Sequence, residues 1–195
     1  DIINYLKYLN ESFLSAAESK HIRLNFYTET SELTIKYDEQ KIQHIVQNLL
    51  SNAIKFTPAY GTIVFHTKTI IVDNQHYLQL KVKDSGIGIS KEDLPNIFDR
   101  FYQSDNTATR DAEGTGIGLA LIKELVHLMK GTVSVESELG KGSEFILKLP
   151  YEQVKDAPVD ALIIKEEQFT PIVDTIVLEE ESISTVGATN TNESG

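Results

Sequence analysis

The chain has 195 residues, 29 Asp plus Glu against 18 Lys plus Arg, and a formal charge of −11. Apolar residues make up 41 % and charged residues 24 %, ordinary proportions for a globular protein that exclude a wholly disordered chain or a collagen-like fibre. The acidic balance argues against broad binding to nucleic acid or an anionic membrane, and the lack of cysteine removes disulfides, thiolate metal sites and cysteine nucleophiles together.

No run approaches the roughly 18 consecutive apolar residues of a bilayer span. The first residue is Asp1, with no methionine or leader pattern, so the chain reads as a piece of a longer protein. Residues 1–19 read as a helix, with Ile2, Ile3, Leu6, Leu9, Phe13, Leu14 and Ala17 at helical spacing. Residues 22–27 and 33–37 read as short strands. Asp38 is a plausible N-cap for a long helix whose apolar face is Ile42, Ile45, Val46, Leu49, Leu50, Ala53 and Ile54, ended by Pro58 and Gly61.

Residues 62–72 and the alternating Leu78, Leu80 and Val82 then predict a hairpin with one buried face, turning at Asp73-Asn74-Gln75. A short helix is predicted over 90–98, opened by the capping-box-like Ser90-x-x-Asp93. Residues 104–113 are polar and aperiodic, a loop. An apolar helix over 117–130 stops at Gly131, and strands over 132–137 and 143–149 follow. This order predicts an α+β, two-layer sandwich: a mixed, mostly antiparallel sheet with helices on one face.

From Tyr151 onward ten acids face two bases, so the last 45 residues carry −8 and the first 150 only −3. That shift predicts an acidic tail or linker over 151–195. Within it, residues 159–166 echo residues 173–180 at a spacing of fourteen. Either an acidic linker with chance similarity or a pair of strands satisfies that pattern, and the last ten residues read as disordered.

On the long helix Asn48, Asn52 and Lys55 fall at i, i+4 and i+7, opposite the apolar face. Such a stripe is either a solvated face or a ligand face offering two amide oxygens to a hard cation and an ammonium to a phosphate. Two glycine-spaced loops add to it: Asp84-x-Gly86-x-Gly88 directly after a strand, and Gly114-x-Gly116-x-Gly118 at a helix start. One glycine suffices for a turn. Two such loops suggest backbone held close to a ligand, with N–H groups free for phosphate.

These residues carry a resemblance. Asn48-Leu-Leu-Ser-Asn52-Ala-Ile-Lys55-Phe56, Asp84-Ser-Gly86-Ile-Gly88-Ile89, Ile97-Phe98-Asp-Arg100-Phe101, Gly114-Thr115-Gly116-Ile-Gly118-Leu119 and Gly140-Lys-Gly142-Ser143-x-Phe145 resemble the N, first glycine, F, second glycine and third glycine boxes of sensor histidine kinases. They belong to the catalytic ATP-binding domain of those kinases, in the ATPase superfamily shared with DNA gyrase and MutL. All five occur in the family order, across about residues 1 to 150.

The resemblance implies the ATP-binding (Bergerat-type) fold over 21–150, with residues 1–20 the end of the dimerisation and phosphoacceptor helix. It implies ATP and Mg²⁺ as ligands: Asn52 and Asn48 at the metal, Lys55 at phosphate, and Asp84 accepting from the adenine 6-amino group. Gly86, Gly88 and Ile89 would line the base, and Gly114, Thr115, Gly116, Gly118 and Leu119 the phosphates, with Ser143 also at the nucleotide. Residues 104–113 would be a lid. Arg100 would reach the γ-phosphate or form a surface ion pair. Guanine carries an acceptor where adenine carries the amino group, so ATP should be preferred over GTP by about 2–4 kcal/mol.

In gyrase-like hydrolases the position of Asn48 is a glutamate that activates water. An amide cannot be a base, which favours transfer to an imidazole that already offers a lone pair at neutral pH. The resemblance therefore implies phosphoryl transfer from Mg·ATP to a histidine, relayed to a response-regulator aspartate. The implied setting is a homodimeric, membrane-anchored bacterial sensor whose catalytic part is cytoplasmic. None of His21, His44, His66, His76 and His127 lies in a box like Ser-His-Glu-Leu-Arg-Thr-Pro, so the acceptor must lie elsewhere and the chain alone should bind ATP without phosphorylating itself. The tail is expected to lead to a receiver domain, as in hybrid kinases. Other readings are a degenerate ATP-binding switch, an ATP hydrolase and an anti-sigma-type serine kinase.

Overall fold

The structure is a computed structural model; it describes residues 1–103 and 116–152. The chain divides into units Asp1–Ala157 and Pro158–Gly195, and the second lies outside the described residues, as do the predicted lid, Gly114, Thr115 and the tail echo. Among the described residues four helices, α1 (Ile2–Glu11), α2 (Leu14–Ser19), α3 (Glu39–Phe56) and α4 (Gly118–Leu128), accompany five strands: β1 (Arg23–Thr28), β2 (Thr62–Val72), β3 (Gln75–Asp84), β4 (Thr132–Glu138) and β5 (Gly142–Pro150).

The strands form one sheet of order β1-β2-β3-β5-β4. β1 runs parallel to β2, and every other pairing is antiparallel. The sheet is therefore mixed, and its single parallel step follows from α3 being inserted between β1 and β2 as a crossover.

Strand alternation puts one apolar set on a common face. Phe26, Phe65, Val82, Phe145 and Val135 form one cross-strand row, and Thr67, Leu80, Leu147 and Val133 form the next. On the opposite face lie His66, Lys68, Lys81, Lys83, Glu144 and Lys148, where Lys81 and Glu144 pair at 3.3 Å. The core belongs to the first face. There Ile42, Ile45, Val46, Leu49, Leu50 and Ala53 of α3, and Ala120, Ile122 and Val126 of α4, are buried. This is the two-layer α+β sandwich expected from the element order.

Three local expectations change. The helix over 1–19 breaks between Glu11 and Leu14, where the Ser12 hydroxyl takes the Leu9 carbonyl at 2.6 Å in competition with the helical ladder. Ile2, Ile3, Leu6 and Leu9 of α1 are buried in the same core. The strand over 33–37 reduces to a single bridge at Ile35. Its neighbour Leu33 has both backbone groups engaged by the start of α1: its N–H bonds Asp1 Oδ1 at 3.1 Å, and its carbonyl accepts from Ile2 N at 3.0 Å. The helix over 90–98 is a run of turns. Ser90 and Asp93 do make their paired contacts at 2.9 and 3.1 Å, but Pro95 has no N–H and disfavours helical geometry at Leu94.

α3 is closed at both ends. Asp38 Oδ1 accepts from Lys41 N at 3.0 Å. At the other end Lys20 Nζ donates to the carbonyls of Ile54 at 2.8 Å and Lys55 at 2.7 Å. A cation on the last carbonyls meets the negative end of the helix dipole. Lys20→Met is therefore expected to cost about 1–2 kcal/mol in urea unfolding; a change below about 0.3 kcal/mol would remove Lys20 from this role.

Candidate functional site

The apolar rows of the sheet give way to polar side chains one step further along. The next row reads Ser137, Ser143, Asp84, Ile63, with Ser137 opposite Ser143 and Asp84 opposite Ile63. Asp84, the last residue of β3, is 7 % exposed. Its Oδ1 accepts from Gly86 N at 2.8 Å and Ser143 N at 3.3 Å, and no hydrogen bond among the described residues reaches Oδ2. Burial pushes its carboxyl above the usual carboxylate range, and the two N–H groups partly oppose that shift. One oxygen is thus anchored while the other is left to a donor from outside.

The chain leaving Asp84 is held on both sides. Ile87 N donates to Phe56 O at 3.2 Å at the end of α3, and Gly140 N donates to Ile87 O at 2.7 Å from the β4–β5 turn. Three glycines permit this approach. A Cβ on Gly86 would lie 2.5 Å from the Phe56 carbonyl oxygen, and on Gly88 or Gly142 it would overlap the carbonyl oxygen of Glu138 or Asp84. Gly88 and Gly142 also hold φ of 68° and 98°, which other residues adopt only under strain.

α3 supplies the adjoining wall. Asn48 Nδ2 donates to the His44 carbonyl at 2.8 Å, which turns its amide oxygen toward Gly118 at the start of α4, where a Cβ would lie 2.7 Å away. The side chain of the half-buried Asn52, one turn on, makes no hydrogen bond among the described residues. Lys55 Nζ sits 5.1 Å from the Phe56 ring centroid. Gly116 packs against the Phe101 backbone with φ of 66°, and its carbonyl accepts from Phe101 N at 2.9 Å.

Of the residues singled out in the sequence, Gly86 and Ser143 meet Asp84 at its carboxylate, Gly88 packs against the Glu138 backbone, and Asn48 meets Gly118. Ile89 and Leu119 pack against the core. The Arg100 guanidinium is held on Glu124 Oε1 in an exposed ion pair. Sequence reasoning missed Ser137, the Phe56 carbonyl and Lys20. Ser137 sits in a plain strand alternation, and only its register with Ser143 marks it.

No group of three or more His, Asp or Glu side chains that could hold a metal occurs among the described residues. The available donors are carboxamides, which fit a hard cation that keeps waters and takes its other oxygens from a ligand. Among the described residues no helix is long and apolar enough to cross a membrane.

Residues 37–153 match the profile of the family described as histidine kinase-, DNA gyrase B-, and HSP90-like ATPase. Sensor histidine kinase AtsR of Burkholderia thailandensis is 38 % identical over 143 residues, 72 % of this chain and 24 % of that protein. Sensor histidine kinase WalK of Bacillus subtilis is 33 % identical over 155 residues, 80 % of this chain and 25 % of that protein. The chain thus spans about a quarter of the length of these relatives. Among solved structures, full-length ShkA in complex with AMPPNP superimposes with a TM-score of 0.68 at 30 % identity, over 80 % of this chain and 31 % of that one. The nucleotide-free catalytic domain of histidine kinase ThkA gives 0.65 at 23 % identity, over 76 % and 93 %, a likeness of fold.

Proposed function

This chain belongs to the histidine kinase-, DNA gyrase B-, and HSP90-like ATPase family, and from that premise we propose that it is the ATP-binding catalytic part of a sensor histidine kinase. It would pass the γ-phosphoryl of ATP to a histidine on a dimerisation domain, for relay to a receiver aspartate. The observation that carries the reading is Asp84: a buried carboxylate with one oxygen fixed by backbone N–H groups. It suits an exocyclic amino group and repels a carbonyl oxygen, which is the difference between adenine and guanine.

The other residues divide the remaining work. Gly86 and Gly88 let the chain turn close past Phe56 and Glu138 and so pass close to the base, which Ile89 lines. Asn52, with Asn48 beside it, would hold Mg²⁺ through amide oxygens, and the ion when bound neutralises phosphate charge and fixes phosphate geometry. Lys55 adds a positive charge there. Gly116, Gly118 and Leu119 border the phosphate side; Gly114 and Thr115 are assigned to it from the resemblance alone, and so is Arg100. Asn48 cannot take a proton from water, so the site favours an acceptor that brings its own lone pair, as a neutral imidazole does. Catalysis is then positioning and charge neutralisation.

Asn52→Ala should leave base recognition intact and reduce the strengthening of ADP binding by Mg²⁺ about tenfold, read by calorimetry with and without the ion. An unchanged Mg²⁺ effect would take Asn52 out of the metal site. The transfer itself is tested by incubating the chain with γ-labelled Mg·ATP and a separately purified phosphoacceptor domain of the same full-length protein. Acid-labile, base-stable label on the acceptor, and none on the chain alone, is expected. Release of inorganic phosphate without protein label would identify a hydrolase, and binding without either product a switch module.

A further inference from the structure

Ser137, on β4, is the residue whose geometry exceeds its apparent role. A hydroxyl has one proton and two lone pairs, and all three are in use. Ser137 Oγ lies 2.8 Å from the Gly142 carbonyl oxygen, 2.8 Å from Ile89 N and 2.9 Å from Ser143 Oγ. The carbonyl can only accept, so the Ser137 proton goes to Gly142. The Ile89 N–H can only donate, so it takes one lone pair. The remaining lone pair can be satisfied only if the Ser143 hydroxyl donates to Ser137.

The orientation of the Ser143 proton follows from that count. Ser143 is 8 % exposed and sits beside Asp84, to whose Oδ1 its N–H donates. With its proton turned to Ser137, Ser143 Oγ offers lone pairs only, as does Asp84 Oδ2. The same Ser137 oxygen ties Ile89, and with it the chain around Gly88, to the β4–β5 turn. We propose that Ser137 is a positioning residue for nucleotide specificity, making the edge beside Asp84 acceptor-only by orienting the Ser143 hydroxyl. The ligand class it favours is a purine with an amino group at C6 over one with a carbonyl there. This rests on the nucleotide reading above.

Without Ser137 the Ser143 hydroxyl is free to rotate and donate to a 6-oxo purine, which lowers discrimination instead of weakening all nucleotides alike. The test titrates ADP and inosine diphosphate, which differ at the C6–N1 edge, into the full 195-residue chain and its variants with Mg²⁺. In Ser137→Ala the preference for ADP is expected to fall about tenfold, the ratio that one hydrogen bond of ordinary strength gives. Inosine diphosphate affinity should stay level or rise. Ser137→Thr, which keeps the hydroxyl, should restore the preference, and Ser137→Ala with Ser143→Ala should lower it no further than Ser143→Ala alone. Should the alanine variant unfold, Ser137→Cys reads the same ratio with a weak donor in place. Equal losses for both nucleotides, or an unchanged ratio, would overturn the proposal while leaving the nucleotide site standing. Failure of the unaltered chain to bind ADP would instead remove the nucleotide reading, and this inference with it.

Discussion

Asp84→Asn should weaken ADP binding by about 30- to 100-fold and leave the domain at least as stable as before. The binding loss follows from replacing a charged acceptor with an amide whose orientation is set by Gly86 N and Ser143 N; about 2–3 kcal/mol is the ordinary worth of a charge-assisted hydrogen bond to a buried group. The stability expectation has the opposite sign because burial already penalises this carboxylate, raising its proton affinity in the folded state. A carboxyl whose folded pKa lies above its unfolded value stabilises the fold most at pH below the unfolded value, and that contribution is lost as pH rises through the folded one. At neutral pH Asp84 is thus a net cost that asparagine removes. By the same shift, ADP affinity should fall as pH is lowered through a range above that of ordinary carboxylates. Titration calorimetry across pH and thermal melts read the three effects. A variant that lost stability and binding together would make Asp84 a structural residue.

The second large effect is steric. Gly142→Ala is expected to cost more than about 3 kcal/mol in urea unfolding, because the new Cβ would overlap the Asp84 carbonyl oxygen and lie 2.8 Å from its carbon and 3.0 Å from Gly86 N. All three are backbone atoms of the β3 end and the loop leaving it, so relief requires the strand that carries the carboxylate to move, and ADP affinity should fall as well. Gly140→Ala is the internal control: it shares a positive φ, 81°, but has nothing within 4 Å of its Cβ position. It should cost only the 1–2 kcal/mol or so of left-handed backbone strain and spare binding. Equal costs at the two positions would show that φ, not the approach to Asp84, sets the requirement for glycine.

How much of this was legible in the sequence depends on the kind of signal. The apolar periods were reliable: Ile42, Ile45, Val46, Leu49, Leu50 and Ala53 on α3, and Leu78, Leu80 and Val82 on β3, are all buried as their spacing predicts. Signals that depend on a competing partner were not. Nothing in the alternation of residues 33–37 reveals that Asp1 and Ile2 engage Leu33, and the apolar period of residues 1–19 runs through the Ser12 break. Pro95 was a readable stop that the capping pair Ser90 and Asp93 obscured. In the site, Asp84, Gly86 and Gly88 stood out by their spacing. The register that sets Ser137 against Ser143 and the carbonyl of Phe56 against Ile87 are products of tertiary pairing, which no single-residue pattern announces.

Calorimetric titration of the 195-residue chain with a non-hydrolysable ATP analogue, with and without Mg²⁺, decides whether Asp84 and its glycine-flanked loop hold a nucleotide. Saturable one-to-one binding that Mg²⁺ strengthens is the predicted result. Absence of binding in both conditions would contradict the assignment of Asp84 and its glycine-flanked loop to a nucleotide.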